Sequence, residues 1–98
     1  MTITFPPWVE GPRAQTDKGS VESRRLKYLV MLAAISSTHE GSIAALADAC
    51  GIERPQVHES IRAGKFSPSM AAKIERKCGR SVVRREWLIY PSEVHALV

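Results

Sequence analysis

The sequence predicts an all-α protein, a compact bundle of four to five helices that follows an irregular N-terminal arm. Apolar residues recur at helical spacing in four stretches between positions 21 and 78. Helix-start signals are Ser42 and the pair Ser67–Pro68, and helix-end signals are Gly51, Gly64 and Gly79. Hydrophobic residues make up 44% of the chain but aromatic residues only 6%, which favours a core of Leu, Ile, Val and Ala.

The 98 residues suit one domain flanked by an arm and a tail. Residues 1–20 hold three prolines between positions 6 and 12, and this density predicts an irregular or partly disordered arm. The apolar residues of the arm are Phe5, Trp8 and Val9. We expect them to pack on the domain itself, or otherwise on a partner. Residues 21–91 form the predicted domain, and residues 92–98 form a tail without an informative pattern.

The first helix of the domain is predicted to run from Ser20 or Val21 to about Ser36. Its inward stripe consists of Leu26, Leu29, Val30, Ala33 and Ala34, and its outward basic residues are Arg24, Arg25 and Lys27. The run from Leu29 to Ile35 is apolar nearly all round, which is more than one buried face requires. We therefore expect one side of this helix to meet a second copy of the chain.

The C-terminal part is predicted to add a helix from Pro68 to Gly79, lined by Met70, Ala71, Ile74 and Cys78. The segment 81–83 is predicted to be extended, because it is short and β-branched. A last helical turn over 85–90 then carries Trp87 and Leu88 into the core.

The stretch from Ile43 to Arg62, IAALADACGIERPQVHESIR, predicts two short helices joined by a tight turn. Small or apolar residues share one face of each helix, namely Leu46, Ala47 and Cys50 in the first and Val57 and Ile61 in the second. Gly51 permits the positive φ that a sharp helix exit requires. This pattern is typical of a helix-turn-helix, whose second helix enters the DNA major groove. A helical hairpin without a DNA role is the alternative.

Positive charge is concentrated at and after this motif. The whole chain has a net charge of +4, but residues 51–85 hold nine Lys/Arg against three Glu, a net of +6, and the remainder is at −2. Such a distribution favours an anionic partner. The sequence has no zinc spacing, no apolar run that spans a bilayer and no catalytic signature, so we expect no metal, no cofactor, no membrane and no enzyme activity. Cys50 and Cys78 are interpreted as reduced core residues of a cytoplasmic protein.

Three stretches extend the motif into a longer pattern: GSIAALADACGIERPQVHESIRAG, SPSMAAKIERKCG and SVVRREWLIYP. Together they cover about half of the chain, from Ser42 to Pro91, and they resemble the Cro-type phage repressors, in particular the YdaS-like branch. The resemblance implies a lambda-repressor-like DNA-binding domain of phage or prophage origin, acting as a repressor or as an antitoxin-like regulator. Two positions depart from the family pattern. Glu53 stands where relatives usually carry Ser or Thr, and Ser60 replaces a larger apolar or aromatic residue.

Base-reading residues are expected in the first half of the second motif helix, because that part of a helix-turn-helix meets base edges. Arg54 can donate two bonds to guanine, and Gln56 can pair with adenine or bind a phosphate. His58 and Glu59 can contact guanine and cytosine. The alternative for His58 is an ordinary surface histidine. The alternative for Glu59 is a solvated position or an intrahelical pair with Arg62.

Phosphate contacts are expected from six residues in and beyond the motif: Ser42, Arg62, Lys65, Arg80, Arg84 and Arg85. Contacts of this kind position a protein on the duplex without reading its sequence. The alternative for each residue taken singly is a solvated side chain, so the prediction depends on the cluster.

The sequence thus predicts a sequence-specific DNA-binding repressor that recognises a double-stranded operator. We expect a homodimer, because one reading helix buries too little surface for useful specificity. The alternative is an antitoxin-like module that binds a toxin-like partner protein through its N-terminal arm or its first helix.

Overall fold

The computed structural model describes residues 5–10 and 21–91, which hold six helices and no strand. The helices are α1 (Pro7–Glu10), α2 (Val21–Ser37), α3 (Ile43–Cys50), α4 (Arg54–Ala63), α5 (Pro68–Cys78) and α6 (Arg85–Ile89). The predicted all-α class is therefore confirmed, with five helices between residues 21 and 91. The molecule measures 35 × 27 × 25 Å, which is compact. None of these helices has the length and apolar character needed to cross a membrane.

Helix α2 lies at the centre of the molecule, and α1, α3, α4 and α5 all pack against it. Its predicted inward stripe is confirmed, since Leu26, Leu29, Val30, Ala33 and Ala34 are all fully buried. The two alanines bring the helix close to its neighbours, while the larger side chains fill the space between them. The opposite side leaves Met31 and Ile35 exposed.

The N-terminal arm differs from its prediction at the residues that the structure describes. Pro7 opens the short helix α1, a position where the missing N–H of proline has no intrahelical partner to lose. Phe5 and Val9 are buried, so the described part of the arm packs on its own domain, as expected. The remainder of the predicted arm, residues 1–4 and 11–20, and the predicted tail at 92–98 lie outside the described residues.

Two basic residues that were predicted to point outward from α2 instead bind backbone carbonyls of segments distant in sequence. Arg24 is buried, and its Nε donates to the carbonyl of Val9 at 3.0 Å. Arg25 donates from Nη1 to the carbonyl of Pro91 at 2.6 Å, and its guanidinium lies 5.4 Å from the ring centroid of Phe5. The prediction was wrong here because helical periodicity does not reveal that Val9 and Pro91, distant in sequence, lie against this part of α2.

Serine caps set the starts of α3 and α5. The Ser42 hydroxyl accepts from the backbone N–H of Ala45 at 3.1 Å, and the Ser67 hydroxyl accepts from that of Met70 at 3.3 Å. Each bond satisfies one of the free N–H groups of a first helical turn. The predicted starts of both helices are confirmed because such signals are local in sequence.

The segment after α5 is a turn rather than the extended chain that was predicted. The backbone N–H groups of Val82 and Val83 both donate to the carbonyl of Gly79, at 3.0 and 3.2 Å. The turn buries Val83 and directs the chain into α6. Trp87 and Leu88 of α6 enter the core as predicted.

Gly51 ends α3 in the left-handed region, with φ 70° and ψ 31°. The N–H of Ile52 then donates to the carbonyl of Ala47 at 2.9 Å, which closes the turn and buries the Ile52 side chain. A Cβ at position 51 would meet no atom within 4 Å. The requirement for glycine is therefore conformational and not steric.

We predict that Gly51→Ala lowers the free energy of unfolding by about 1–2 kcal/mol, the penalty for a Cβ in the left-handed region. Gly51→Asn is the control, and it should cost less because asparagine tolerates this conformation. Urea denaturation followed by circular dichroism measures both changes. If both variants lowered the free energy of unfolding equally, the left-handed backbone at position 51 would not explain the requirement for glycine.

Candidate functional site

The α3–Gly51–α4 unit exposes one side of α4 and buries the other. Val57, Ser60 and Ile61 form the buried side, and Val57 is 1% exposed. Glu53 stands at the N-cap of α4, where the family resemblance places Ser or Thr, and its side chain forms no capping hydrogen bond. Helix α4 is held by its buried side chains and by the proline in its first turn.

The exposed side of α4 carries two rows of side chains. Arg54, His58 and Arg62 are spaced four apart and form a basic row, which we call the basic row of α4. Gln56, Glu59 and Ala63 form the other row, which borders a groove between α4 and α6. The four residues predicted to read bases are therefore all exposed, but they are divided between two rows.

Arg54 is held by a carboxylate on the preceding helix. Its Nε donates to Asp48 Oδ1 at 3.2 Å, and its Nη2 donates to Oδ2 at 2.6 Å. The hydrogen bond from Arg54 lowers the pKa of the Asp48 carboxyl below its ordinary value. Both side chains remain more than half exposed. The pair orients the guanidinium and leaves Nη1 and one N–H of Nη2 to donate elsewhere.

The predicted phosphate-contacting residues differ in their availability. Arg62 and Lys65 are exposed and form no ion pair with another described residue. Ser42 uses its hydroxyl oxygen to cap α3, which places it at a helix N-terminus. Arg84 is half-buried, its guanidinium carbon lies 5.8 Å from the ring centroid of Trp87, and its buried Nε has no hydrogen-bond partner.

Arg80 and Arg85 are engaged with a buried carboxylate. Glu75 is 4% exposed, and it accepts from Arg80 Nη1 at 2.8 Å, from the backbone N–H of Arg85 at 2.7 Å and from Arg85 Nε at 3.0 Å. Arg80 also pairs with Glu86 at 3.1 Å. Burial alone would raise the pKa of the Glu75 carboxyl, but the hydrogen bonds from Arg85 and the charges of both arginines lower it below its ordinary value. These arginines connect α5 to α6.

Three cations on α5 were not among the predicted contacts. Lys73, Arg76 and Lys77 are exposed, and none of them forms an ion pair within the part of the chain that the structure describes. They border a small recess of about 210 Å³ beside Cys50. Their spacing of three and four residues on the outer side of the predicted helix was the signal that identifies them as a surface cluster.

The two cysteines are free and half-buried, so they lie at the margin of the core and not inside it as predicted. Cys50 Sγ lies 3.8 Å from the carbonyl oxygen of Lys73, and Cys78 Sγ lies 3.6 Å from that of Gly79. Burial raises the pKa of both thiols, which keeps them protonated and weakly nucleophilic at neutral pH. Among residues 5–10 and 21–91, no group of three or more His, Cys, Asp or Glu side chains is arranged to hold a metal ion.

Comparison with known proteins gives no relative of this chain. No family model matches it, and neither the curated proteins nor the solved structures contain a match. The chemistry of the exposed side chains is therefore the basis on which the function is inferred.

We predict that Glu75→Gln lowers the free energy of unfolding by about 1–3 kcal/mol at neutral pH, because two arginines and a backbone N–H lose their anionic acceptor. The Glu75 pKa is lower in the folded state, so its contribution is fully present above the unfolded value of about 4.3 and is lost as pH falls through the folded value. The difference between variant and wild type should therefore shrink in acid. Denaturant titrations at several pH values measure it.

Glu86→Gln is the matched control, since Glu86 also pairs with Arg80 but its side chain is 55% exposed. This variant should change the free energy of unfolding by no more than about 0.5 kcal/mol. If Glu86→Gln lowered the free energy of unfolding as much as Glu75→Gln, burial of the Glu75 carboxylate would not be the reason for its larger contribution.

Proposed function

We propose that this chain is a sequence-specific DNA-binding transcriptional repressor of the helix-turn-helix class, with α4 as the reading helix. The observation that carries the proposal is the arrangement of α3 and α4 about Gly51, which buries Val57 and Ile61 and exposes the basic row of α4. A reading helix requires a rigid buried side and an exposed side with donors at its N-terminal end. Arg54 and His58 meet the second condition.

The contacts are assigned by the position of each side chain on α4. Arg54 is the main base reader, because Asp48 orients its guanidinium while three of its five N–H groups stay free of Asp48, enough for the two acceptors of a guanine. His58, one turn further along, is the second reader, with Gln56 and Glu59 as the remaining candidates. Arg62 and Lys65, at the end of α4 and just after it, are within reach of the phosphate backbone.

The proposed repressor acts as a homodimer. Two copies would present two reading helices to half-sites about 34 Å apart. The resemblance of residues 42–91 to Cro-type repressors supports a cytoplasmic regulator of phage, prophage or toxin–antitoxin origin.

A second candidate function is an antitoxin-like module that binds a partner protein. The observation in its favour is the exposed apolar pair on α2, where Met31 is 36% exposed and Ile35 is 63% exposed. The arm gives it less support, because Phe5 and Val9 are buried on their own domain. The two functions are compatible, since α2 and the exposed side of α4 are different surfaces.

Binding of the full chain to a mixed-sequence DNA duplex over a salt series tests the proposed class. We expect measurable binding at low salt and a linear fall of log K with log salt concentration, as counterions are released from the phosphates. Selection of bound sequences from a random pool then identifies the operator. Absence of binding at low salt would contradict the proposal and favour the partner-protein function.

We predict that Arg54→Ala costs about 1–3 kcal/mol on the selected operator and relaxes the preference at one base pair. Arg62→Ala is the comparison, because Arg62 lies in the last turn of α4, forms no ion pair with another described residue and is proposed to reach only phosphates. It should weaken binding to all sequences alike and lower the salt slope by about one. Fluorescence anisotropy with operator and mixed-sequence duplexes measures both.

Both variants should remain folded, because neither side chain belongs to the core. An equal loss of affinity for operator and mixed-sequence DNA in Arg54→Ala would make Arg54 a phosphate contact. Base reading would then fall to His58, Gln56 and Glu59.

A further inference from the structure

An open groove of about 840 Å³ lies between α4 and the region where α5 and α6 meet. We call it the α4–α6 groove; its lining includes Glu59, Ser60, Lys65, Met70, Ile89 and Tyr90. Met70 and Ile89 are partly buried, and Phe66 beneath them is 1% exposed. Tyr90 also lines the groove, yet its side chain is 60% exposed. The floor of the groove is therefore apolar, its rim carries polar and charged side chains, and Tyr90 adds a large aromatic side chain accessible to solvent.

We propose that the α4–α6 groove is the surface through which two copies of this chain associate about a twofold axis. The composition of the groove supports a protein partner, since Tyr, Met and Phe are enriched in the buried centres of interfaces. An exposed tyrosine beside an apolar groove can enter the same groove on a second copy, and a twofold axis makes this exchange mutual.

The charges at the groove identify the partner as a second copy. Glu59 and Lys65 both line the groove, carry opposite charges and form no ion pair with another described residue. A twofold axis places Glu59 of one copy against Lys65 of the other, and the reverse pair forms on the opposite side. The surface is thus complementary to itself, with an apolar centre and a charged rim.

This inference deepens the proposed function, because association through the groove would hold two α4 helices beside a common axis. It also divides the exposed residues of α4 between two tasks. The basic row with Arg54 and His58 stays with DNA, while Glu59 passes from base reading, and Lys65 from phosphate contact, to self-association. It replaces the face of α2 that the sequence suggested, where Met31 and Ile35 are exposed.

Sedimentation velocity of the full chain without DNA, over a range of concentrations, tests the interface. Tyr90→Ser should raise the dimer dissociation constant by about tenfold or more, the loss typical of a central aromatic residue. Ile35→Ser is the matched control, since Ile35 is exposed to a similar extent, 63% against 60% for Tyr90, but lies on α2. It should leave the dissociation constant unchanged.

A charge exchange supplies the second test. Glu59→Lys alone and Lys65→Glu alone should each weaken the dimer by about threefold to tenfold, because each change sets like charges against one another twice per dimer. The double variant should return close to the wild-type dissociation constant. Circular dichroism should show all variants folded, because the changed side chains are exposed.

Several results would overturn the inference. A wild-type chain that stays monomeric, a dimer that Ile35→Ser weakens and Tyr90→Ser does not, or a double variant that remains weak each exclude this interface. Measurement without DNA separates this failure from that of the proposed function. A monomer that still binds the mixed-sequence duplex refutes only the interface, whereas a dimer that fails to bind DNA refutes only the repressor.

Discussion

The fold depends on the burial of one helix. Helix α2 has five fully buried side chains along its inward stripe, and four of the other five described helices pack against it. A chain of 98 residues buries a limited apolar area, so concentrating that burial on one central helix lets the short helices α3 and α4 remain in place. Their relative position, which the proposed DNA recognition requires, follows from packing on α2 and from the turn at Gly51.

Much of the positive charge that the sequence concentrates after Gly51 has a structural task. Arg80 and Arg85 neutralise the buried carboxylate of Glu75, and Arg54 is paired with Asp48. The net charge of +6 over residues 51–85 counts these three arginines in full. Because each is paired with a carboxylate, an anion approaching them meets a weaker positive field than that count suggests. The cations of this segment that form no ion pair with another described residue include Arg62, Lys65, Lys73, Arg76 and Lys77.

The sequence predicted what local signals control and missed what depends on distant parts of the chain. Helix starts at Ser42 and Ser67 followed from capping, and the stripe of α2 followed from periodicity.

The Glu75–Arg85 pair could not be predicted, because the two residues are ten positions apart and only the turn after Gly79 brings them together. Burial of Arg24 against Val9 escaped prediction for the same reason. All four candidate base readers are exposed, and helical spacing divides them into two rows, but the groove beside one row depends on where α6 packs and could not be predicted.

Ser60 connects this groove with the interior of α4. It is 8% exposed, it lies on the buried side of the helix, and it also lines the α4–α6 groove. Its carbonyl accepts from the N–H groups of Gly64 and Lys65, so the backbone at this position is fixed by the end of the helix.

A leucine or an aromatic residue here would extend into the groove and fill part of it, which would improve the packing of a single copy. The small hydroxyl leaves that space open. The apolar floor of this open groove contacts water in an isolated chain, and a second copy that covers it would remove that surface from water. Ser60, one of the two positions that depart from the family pattern, is thus a residue that keeps the proposed interface accessible.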